Sequence, residues 1–365
     1  MTPTSTDCIP EQFPFKRVKS RQVIVNFQGG TVTSDAGLTL IADLDQKLKI
    51  TSRLAACFQD YRQSNRIEHS LSTLVAQRVY GLVQGYEDVN DHEQLRHDPM
   101  FALALGKILG EGTQPVVLAG KSTLNRLEHC PETEINRHKS RYHRIGHDTT
   151  AIEKLFVEWF LESYSKEPRT IVLDLDVTDD QVHGEQEGAF FNSYYDGVCY
   201  APLYIFCGKH LLVAKLRPSN VDPAEGALEE LQRVISLIRS RWPDVGILVR
   251  GDSAYARGEM ENRFKEQQLE LFSDRTSTHT FEGNQLRLWF SSVGYVLMNA
   301  LRSRCLASTE LQAAQVGTIR TKLLKLGARL LVSARRVLVS ISSGCPYQDI
   351  FATAYRCLQT LPHPG

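Results

Sequence analysis

Four carboxylates crowd seven positions of this chain: Asp174, Asp176, Asp179 and Asp180. They follow the run TIVLDLD (170–176), whose aliphatic, β-branched composition predicts a buried strand. Strand alternation puts Asp174 and Asp176 on one face, and Ile171, Leu173 and Leu175 on the other. Acids this close repel one another unless cations or solvent intervene. A solvated strand end with turn-forming Asp accounts for this segment taken alone. Asp252 favours a site instead. It ends a second buried run, VGILVR (245–250), where a parallel neighbour would set it beside Asp176. Glu261 follows on the next predicted helix (about 256–272), with Phe264 and Lys265 on the same face at i+3 and i+4. Three acids from two strands and a helix form a site for paired divalent cations. Such a pair activates a water or hydroxyl and stabilises the leaving oxygen of a phosphodiester.

Other motifs carry less chemistry. LAGKSTL (118–124) contains GKST, the tail of a phosphate-binding loop. That loop needs Gly five positions before Gly120, where Pro115 stands, so Ser122 and Thr123 read as helix-cap residues. HEQLRH (92–97) spaces two His five apart, off the i,i+4 face of a metalloprotease helix. His138, His143 and His147 lie in a basic stretch and read as surface residues. The eight Cys include no CxxC pair, which argues against a zinc ribbon or redox motif and suits a reducing cytoplasm. No apolar run is long enough to span a membrane, and the N-terminus lacks a secretory apolar region.

The elements that must position the acids follow from periodicity. Residues 18–33 predict a β-hairpin around Gly29-Gly30. Helical spacing then runs from Asp35 to about Lys166, with a stripe at Leu71, Leu74, Val75, Val79, Leu82 and Val83. The texture changes at Pro168. CYAPLYIFC (199–207) and LLVAKLR (211–217) flank Gly208-Lys209-His210 as a hairpin. Asp222-Pro223 opens a helix that Pro243 stops. The order strand, hairpin, helix, strand predicts an α/β core whose acids sit at C-terminal strand ends, where ligands of open α/β sheets bind. Two apolar-striped helices near 285–304 and 309–326 and a strand pair over 329–342 complete the chain. Three parts result: a hairpin plus helical part (1–167), an α/β catalytic core (168–283), and a basic, mainly helical part with a hairpin (284–365).

The chain is 365 residues long, and its 42 basic and 42 acidic side chains cancel. The cancellation hides an asymmetry. Residues 284–365 carry ten basic and two acidic side chains, whereas 169–283 carry twelve and nineteen. A basic tail predicts a polyanion-binding surface. Arg320, Lys322, Lys325, Arg329, Arg335 and Arg336 would form its stripe. Solvated helix faces explain the same charge equally well.

Several segments carry a family likeness: VNFQGGTVTSDAGL (25–38), GYEDVNDHEQLRHDP (85–99), TIVLDLDVTDDQVHGEQEG (170–188), YAPLYIFCGKHLL (200–212), RPSNVDPAEGALEELQ (217–232), RGDSA (250–254) and RGEMENRFKEQ (257–267). In these the chain resembles insertion-sequence transposases of the DDE superfamily, transposase DDE domain group 1, over nearly its whole length. The resemblance implies a helical N-terminal domain, an RNase H-like catalytic core and a basic C-terminal part. It implies Mg²⁺ dependence (with Mn²⁺ as an alternative), and strand cleavage and transfer at transposon ends. It makes Asp176, Asp252 and Glu261 the catalytic and metal-binding acids, with Asp174 in reserve for the first. Arg257 and Lys265 would face DNA phosphates by that match; Arg335 and Arg336 are expected to do so from the charge of the basic tail. The implied partners are double-stranded DNA, both transposon ends and target, and further copies of the chain in a homo-oligomer; the implied location is the cytoplasm. One departure stands out. Only eight residues separate Asp252 from Glu261, whereas relatives carry a helix, another strand and inserted structure there. A strand–helix–strand crossover alone needs at least ~10–12 residues. An internal deletion, leaving a shortened core, accounts for this. The alternative function is then a catalytically impaired remnant that binds transposon ends or intact transposase without cleaving.

Overall fold

A computed structural model describes residues 12–107, 116–132, 144–182, 184–222, 224–251, 270–274, 276–333 and 335–362. The chain opens with β1 (Phe13–Val18), β2 (Arg21–Val25) and β3 (Val32–Thr33). Helices α1 (Leu38–Leu48), α2 (Ile50–Ala56) and α3 (Leu71–Gln84) follow, with β4 (Phe58–Asp60) between the last two. Short helices α4 (His92–Leu95), α5 (Pro99–Ala104) and α6 (Lys121–Glu128) lead to β5 (Ile145–His147) and α7 (Thr149–Glu162). Polar caps start the longer helices. The Ser70 side chain accepts from Thr73 N at the head of α3, and Asp148 accepts from Ala151 N at the head of α7.

The centre contains β6 (Thr170–Val177), β7 (Asp180–Gln181), β8 (Phe190–Asn192), β9 (Gly197–Tyr200), β10 (Leu203–Cys207), β11 (His210–Lys215), α8 (Ala227–Arg241) and β12 (Gly246–Gly251). The main sheet has the order β11-β10-β6-β12. Its first two pairings are antiparallel and the β6–β12 pairing is parallel. One face buries Ile171, Leu173, Ile205 and Cys207 against Val157 and Phe160 of α7 and Val234 and Ile238 of α8. Tyr204 and Phe206 point to the opposite face, where Phe206 meets the Tyr295 ring edge-on at 5.9 Å. Tyr295 belongs to α9 (Phe281–Ala300). Helix α10 (Val316–Ile319), a π-helical turn (Arg320–Leu324), the hairpin of β13 (Ala328–Ser333) and β14 (Arg336–Ile341), and α11 (Gln348–Thr360) close the chain. The larger hydrophobic cluster draws on residues from Leu38 to Leu358. Among the described residues, no helix is long and apolar enough to cross a membrane.

Three local expectations need correction. The N-terminal hairpin turns at Lys19-Ser20, with Lys19 at φ 55, and pairs Phe13–Val18 with Arg21–Val25. Gly30, at φ 75, instead redirects the chain into β3, which pairs with β13. The helix expected from Asp222 begins at Ala227, because the Asp222 side chain accepts from Ala224 N and holds a turn there. The apolar stripe at 309–326 folds only into α10 and its π-helical turn. The predicted hairpin at Gly208, by contrast, is β10–β11, with Gly208 at φ 58 where a side chain would be strained.

Candidate active site

Strand β6 carries both acids of the first cluster, and its neighbours treat them differently. The parallel register sets Arg250 opposite Asp174. Arg250 Nε donates to Asp174 Oδ1 at 2.6 Å, and Nη2 donates to Oδ2 at 2.9 Å. This two-pronged geometry is the strong form of a guanidinium–carboxylate bond. Asp174 is 3% exposed, so the pair neutralises a charge that burial would otherwise penalise. Those same hydrogen bonds raise the Arg250 guanidinium above its usual value.

Asp176 lies two residues on, opposite Tyr204 of β10, and is half-buried. Its Oδ1 accepts from Val177 N at 2.8 Å. The Tyr195 hydroxyl donates to Val177 O at 3.4 Å. Burial pushes that phenol up to about 12, and the Asp179 and Asp176 charges add to the rise. Tyr195 therefore senses both acids.

Asp180 is buried to 1% exposure. Burial drives its carboxyl well above the usual carboxylate range. The Thr276 hydroxyl, which donates to Oδ2 at 2.7 Å, pulls the other way, while Asp274 and Asp179 push it further up. Its Oδ1 meets no hydrogen-bond partner among the described residues. Burial disfavours its charged form, which makes Asp180 a poor cation ligand. Along β6 and its exit, Asp174 is thus locked to Arg250, Asp180 is buried, and Asp176 is the half-exposed carboxylate.

Asp252, Glu261, Arg257 and Lys265 lie outside the described residues. Among the described residues, no group of three His, Cys, Asp or Glu side chains is placed to hold a metal ion. Among the described residues, strand β12 ends the main sheet, and its Leu248 and Val249 are 54% and 42% exposed.

The basic tail divides. Arg335 and Arg336 are exposed at the β13–β14 turn, and Arg329 is exposed on β13. Arg320 instead reaches the end of α3, donating to Val83 O at 2.8 Å and Leu82 O at 3.4 Å, and to Glu270 O. Desolvation lowers its guanidinium to about 10. Lys325 pairs with the buried Asp35 at 2.8 Å and stacks 3.7 Å from the Tyr86 ring centroid. Lys322 pairs with Glu310 at 3.2 Å. The expected six-residue stripe is therefore corrected. Helix carbonyls and acids of the body claim three of its members, a choice that net charge cannot reveal.

Sequence reasoning also missed Arg250. Its only signal was position: it ends the aliphatic run of β12, and the parallel register carries it to Asp174.

A family model described as transposase DDE domain group 1 matches residues 15–257 and 255–363. No curated protein and no solved structure matches the chain.

Proposed function

Because the chain belongs to the transposase DDE domain group 1 family, we propose that it is a DNA transposase working by metal-dependent strand cleavage and transfer at insertion-sequence ends. The observation that carries this reading is the placement of Asp176, a half-buried carboxylate on the central β6 beside the parallel β12. The strand order, with two antiparallel pairings followed by a parallel one, supports an RNase H-like core. The β6–β12 ladder runs out to Gly251 opposite Leu175, which directs the end of β12 toward Asp176 and favours Asp252 as the second acid. Glu261 is proposed as the third.

Asp176 fits a hard divalent cation, being a carboxylate with solvent access. Asp174 does not fit, since both its oxygens are engaged by Arg250. Asp176, Asp252 and Glu261 would hold Mg²⁺, with Mn²⁺ as a substitute. A bound metal pair would supply Lewis-acid activation of the attacking oxygen and stabilisation of the leaving one. Around it, Arg250 neutralises Asp174, two residues from Asp176. Exposed Arg335 and Arg336 would hold the DNA backbone, and Arg257 and Lys265 are proposed to do the same. Double-stranded DNA, as transposon end and as target, and further copies of the chain are the proposed partners, in the cytoplasm.

The interval of eight residues between Asp252 and Glu261 favours a second reading. The family match is made in two pieces that meet at 255–257, inside that interval. Exposed Leu248 and Val249 on β12, the last strand of the main sheet among the described residues, agree with a shortened core. Under this reading the chain binds ends, or an intact transposase, and cleaves weakly. Incubating the purified chain with end-bearing and scrambled duplexes, with Mg²⁺ and with a chelator, decides between the two. End-specific cleavage that needs Mg²⁺ and is lost in Glu261→Gln supports the first; binding without cleavage supports the second.

A further inference from the structure

Among the described residues, hairpin β1–β2 adds nothing to the hydrophobic core. None of its residues joins a hydrophobic cluster, which begin at Ala36 and Leu38. Among the described residues its sheet contains only its own two strands. An isolated two-stranded ribbon is marginally stable in water, so a sequence that keeps one gains from a surface that completes it.

The ribbon is sorted along its length. At its base, Phe13 opposes Val25 and Phe15 opposes Val23, so these four share one face. Phe13 also meets Phe27 edge-on at 5.9 Å. At its tip, Lys16, Arg17, Lys19 and Arg21 surround the turn, and all four are exposed. Residues 12–34 contain these four cations and no acid. No ion pair joins any of them to an acid among the described residues. Four unopposed cations on one turn repel a second copy of the same tip and attract a polyanion.

We infer that β1–β2 is a DNA-binding ribbon whose basic tip enters or straddles a groove of duplex DNA. The inference rests on the reading of the chain as a DNA transposase. The dimensions of the ribbon suit a groove, since six residues at about 3.4 Å each give a reach of roughly 20 Å. A two-stranded ribbon fits the B-DNA major groove, about 12 Å wide. Lys16, Arg17, Lys19 and Arg21 contact phosphates, and the exposed Phe15 and Ile24, on opposite faces of the ribbon, lie against opposite walls of the groove. The ribbon's place in the chain adds a second anchor. Beyond Gly30 the chain enters β3, which pairs with β13, and Thr31 O accepts from Leu330 N at 2.9 Å. The side chain of exposed Arg329 lies against Gly30, with Nε 3.6 Å from where a Cβ would stand. The N-terminal ribbon thus leads directly into the three-stranded sheet that carries the Arg335–Arg336 hairpin.

The test compares the full-length chain with a Lys16→Gln, Arg17→Gln, Lys19→Gln, Arg21→Gln variant. Binding to a short labelled duplex is followed by fluorescence anisotropy over a salt series. Each phosphate contact contributes about 0.9 to the slope of log affinity against log salt, so the slope should shrink by roughly 3–4. Affinity at moderate salt should drop on the order of tenfold or more, equally for all sequences. The melting temperature should stay unchanged. A Lys16→Arg, Lys19→Arg variant should retain the full slope. Hydrogen exchange of the β1–β2 amides should slow when duplex is added. If the full-length chain binds duplex and the four-site variant binds with the same slope and affinity, the ribbon inference is overturned while the DNA reading stands. Loss of self-association in the variant with unchanged DNA binding overturns it too, and marks the ribbon as a protein-docking surface. If the full-length chain binds no duplex at any salt, the transposase reading itself fails, and the ribbon inference with it.

Discussion

The two acids of β6 are two residues apart and share a face, yet their surroundings predict opposite responses to the same substitution. Asp174→Asn takes one charged oxygen from a carboxylate that is 3% exposed and bound at both oxygens by Arg250. The guanidinium keeps only one acceptor there, so the variant should melt at a lower temperature whether or not metal is present. Asp176 is half-buried, with the Asp179 charge acting on the same Tyr195 phenol. Asp176→Asn relieves like-charge repulsion and keeps an oxygen to accept from Val177 N, so without metal it should melt closer to the parent than Asp174→Asn does. Metal separates the two further. With about 10 mM Mg²⁺ and a dissociation constant of ~1 mM, linkage stabilises the folded chain by RT ln 11, about 1.4 kcal/mol. At roughly 1.3 °C per kcal/mol for a chain of this size, the rise is about 2 °C. The parent and Asp174→Asn should both show that rise, and Asp176→Asn should lose it. Thermal melts at matched ionic strength, with Mg²⁺ or a chelator, read all of these effects. If Asp176→Asn melts below Asp174→Asn and keeps the Mg²⁺ rise while Asp174→Asn loses it, the assignment of the first carboxylate is wrong.

The tail gives a paired prediction. Arg335→Gln with Arg336→Gln should reduce the salt slope of DNA binding by roughly 2 and leave melting unchanged, whereas Arg320→Gln, which strips the end of α3 of its donor, should cost about 2–3 kcal/mol in stability by denaturant unfolding. Stability should also fall in mild acid. Burial pushes the fully buried His92 down to about 3, so the unfolded chain takes up its proton first as pH drops below about 6.5, and the loss builds from there toward pH 3. At pH 5 this one group accounts for about 2 kcal/mol, and His210, held down to about 4 by burial and by Arg304 and Lys209, adds to it; chemical denaturation at pH 7 and 5 should show a smaller difference for His92→Gln. Strand cleavage should be slow relative to DNA binding, because Glu261 follows Asp252 by too few residues for a crossover; fast, Mg²⁺-dependent turnover on an end-bearing duplex would refute that.

Much of the core was legible in the sequence, because periodicity is a local property. The alternation in TIVLDLD put Asp174 and Asp176 opposite Ile171 and Leu173, and the sheet buries the latter two against α7 and α8. The glycine at 208 and the aliphatic runs around it defined the β10–β11 hairpin. Long motifs were enough to identify the family, and the match spans nearly the whole chain. Tertiary structure decided what depends on neighbours far along the sequence. Asp174 and Asp176 are alike as sequence; only the parallel register, which sets Arg250 against the first, distinguishes them. Arg320 and Arg335 are alike as charges; one is drawn into the end of α3 and the other stays in solvent. The N-terminal glycines promised a turn, but pairing of β3 with β13, nearly three hundred residues on, used them to join two sheets instead. The reason is the same each time. A side chain's period along the chain fixes which face it shares, whereas its charge state and its partner depend on which strand or helix end packs beside it, and no local pattern encodes that.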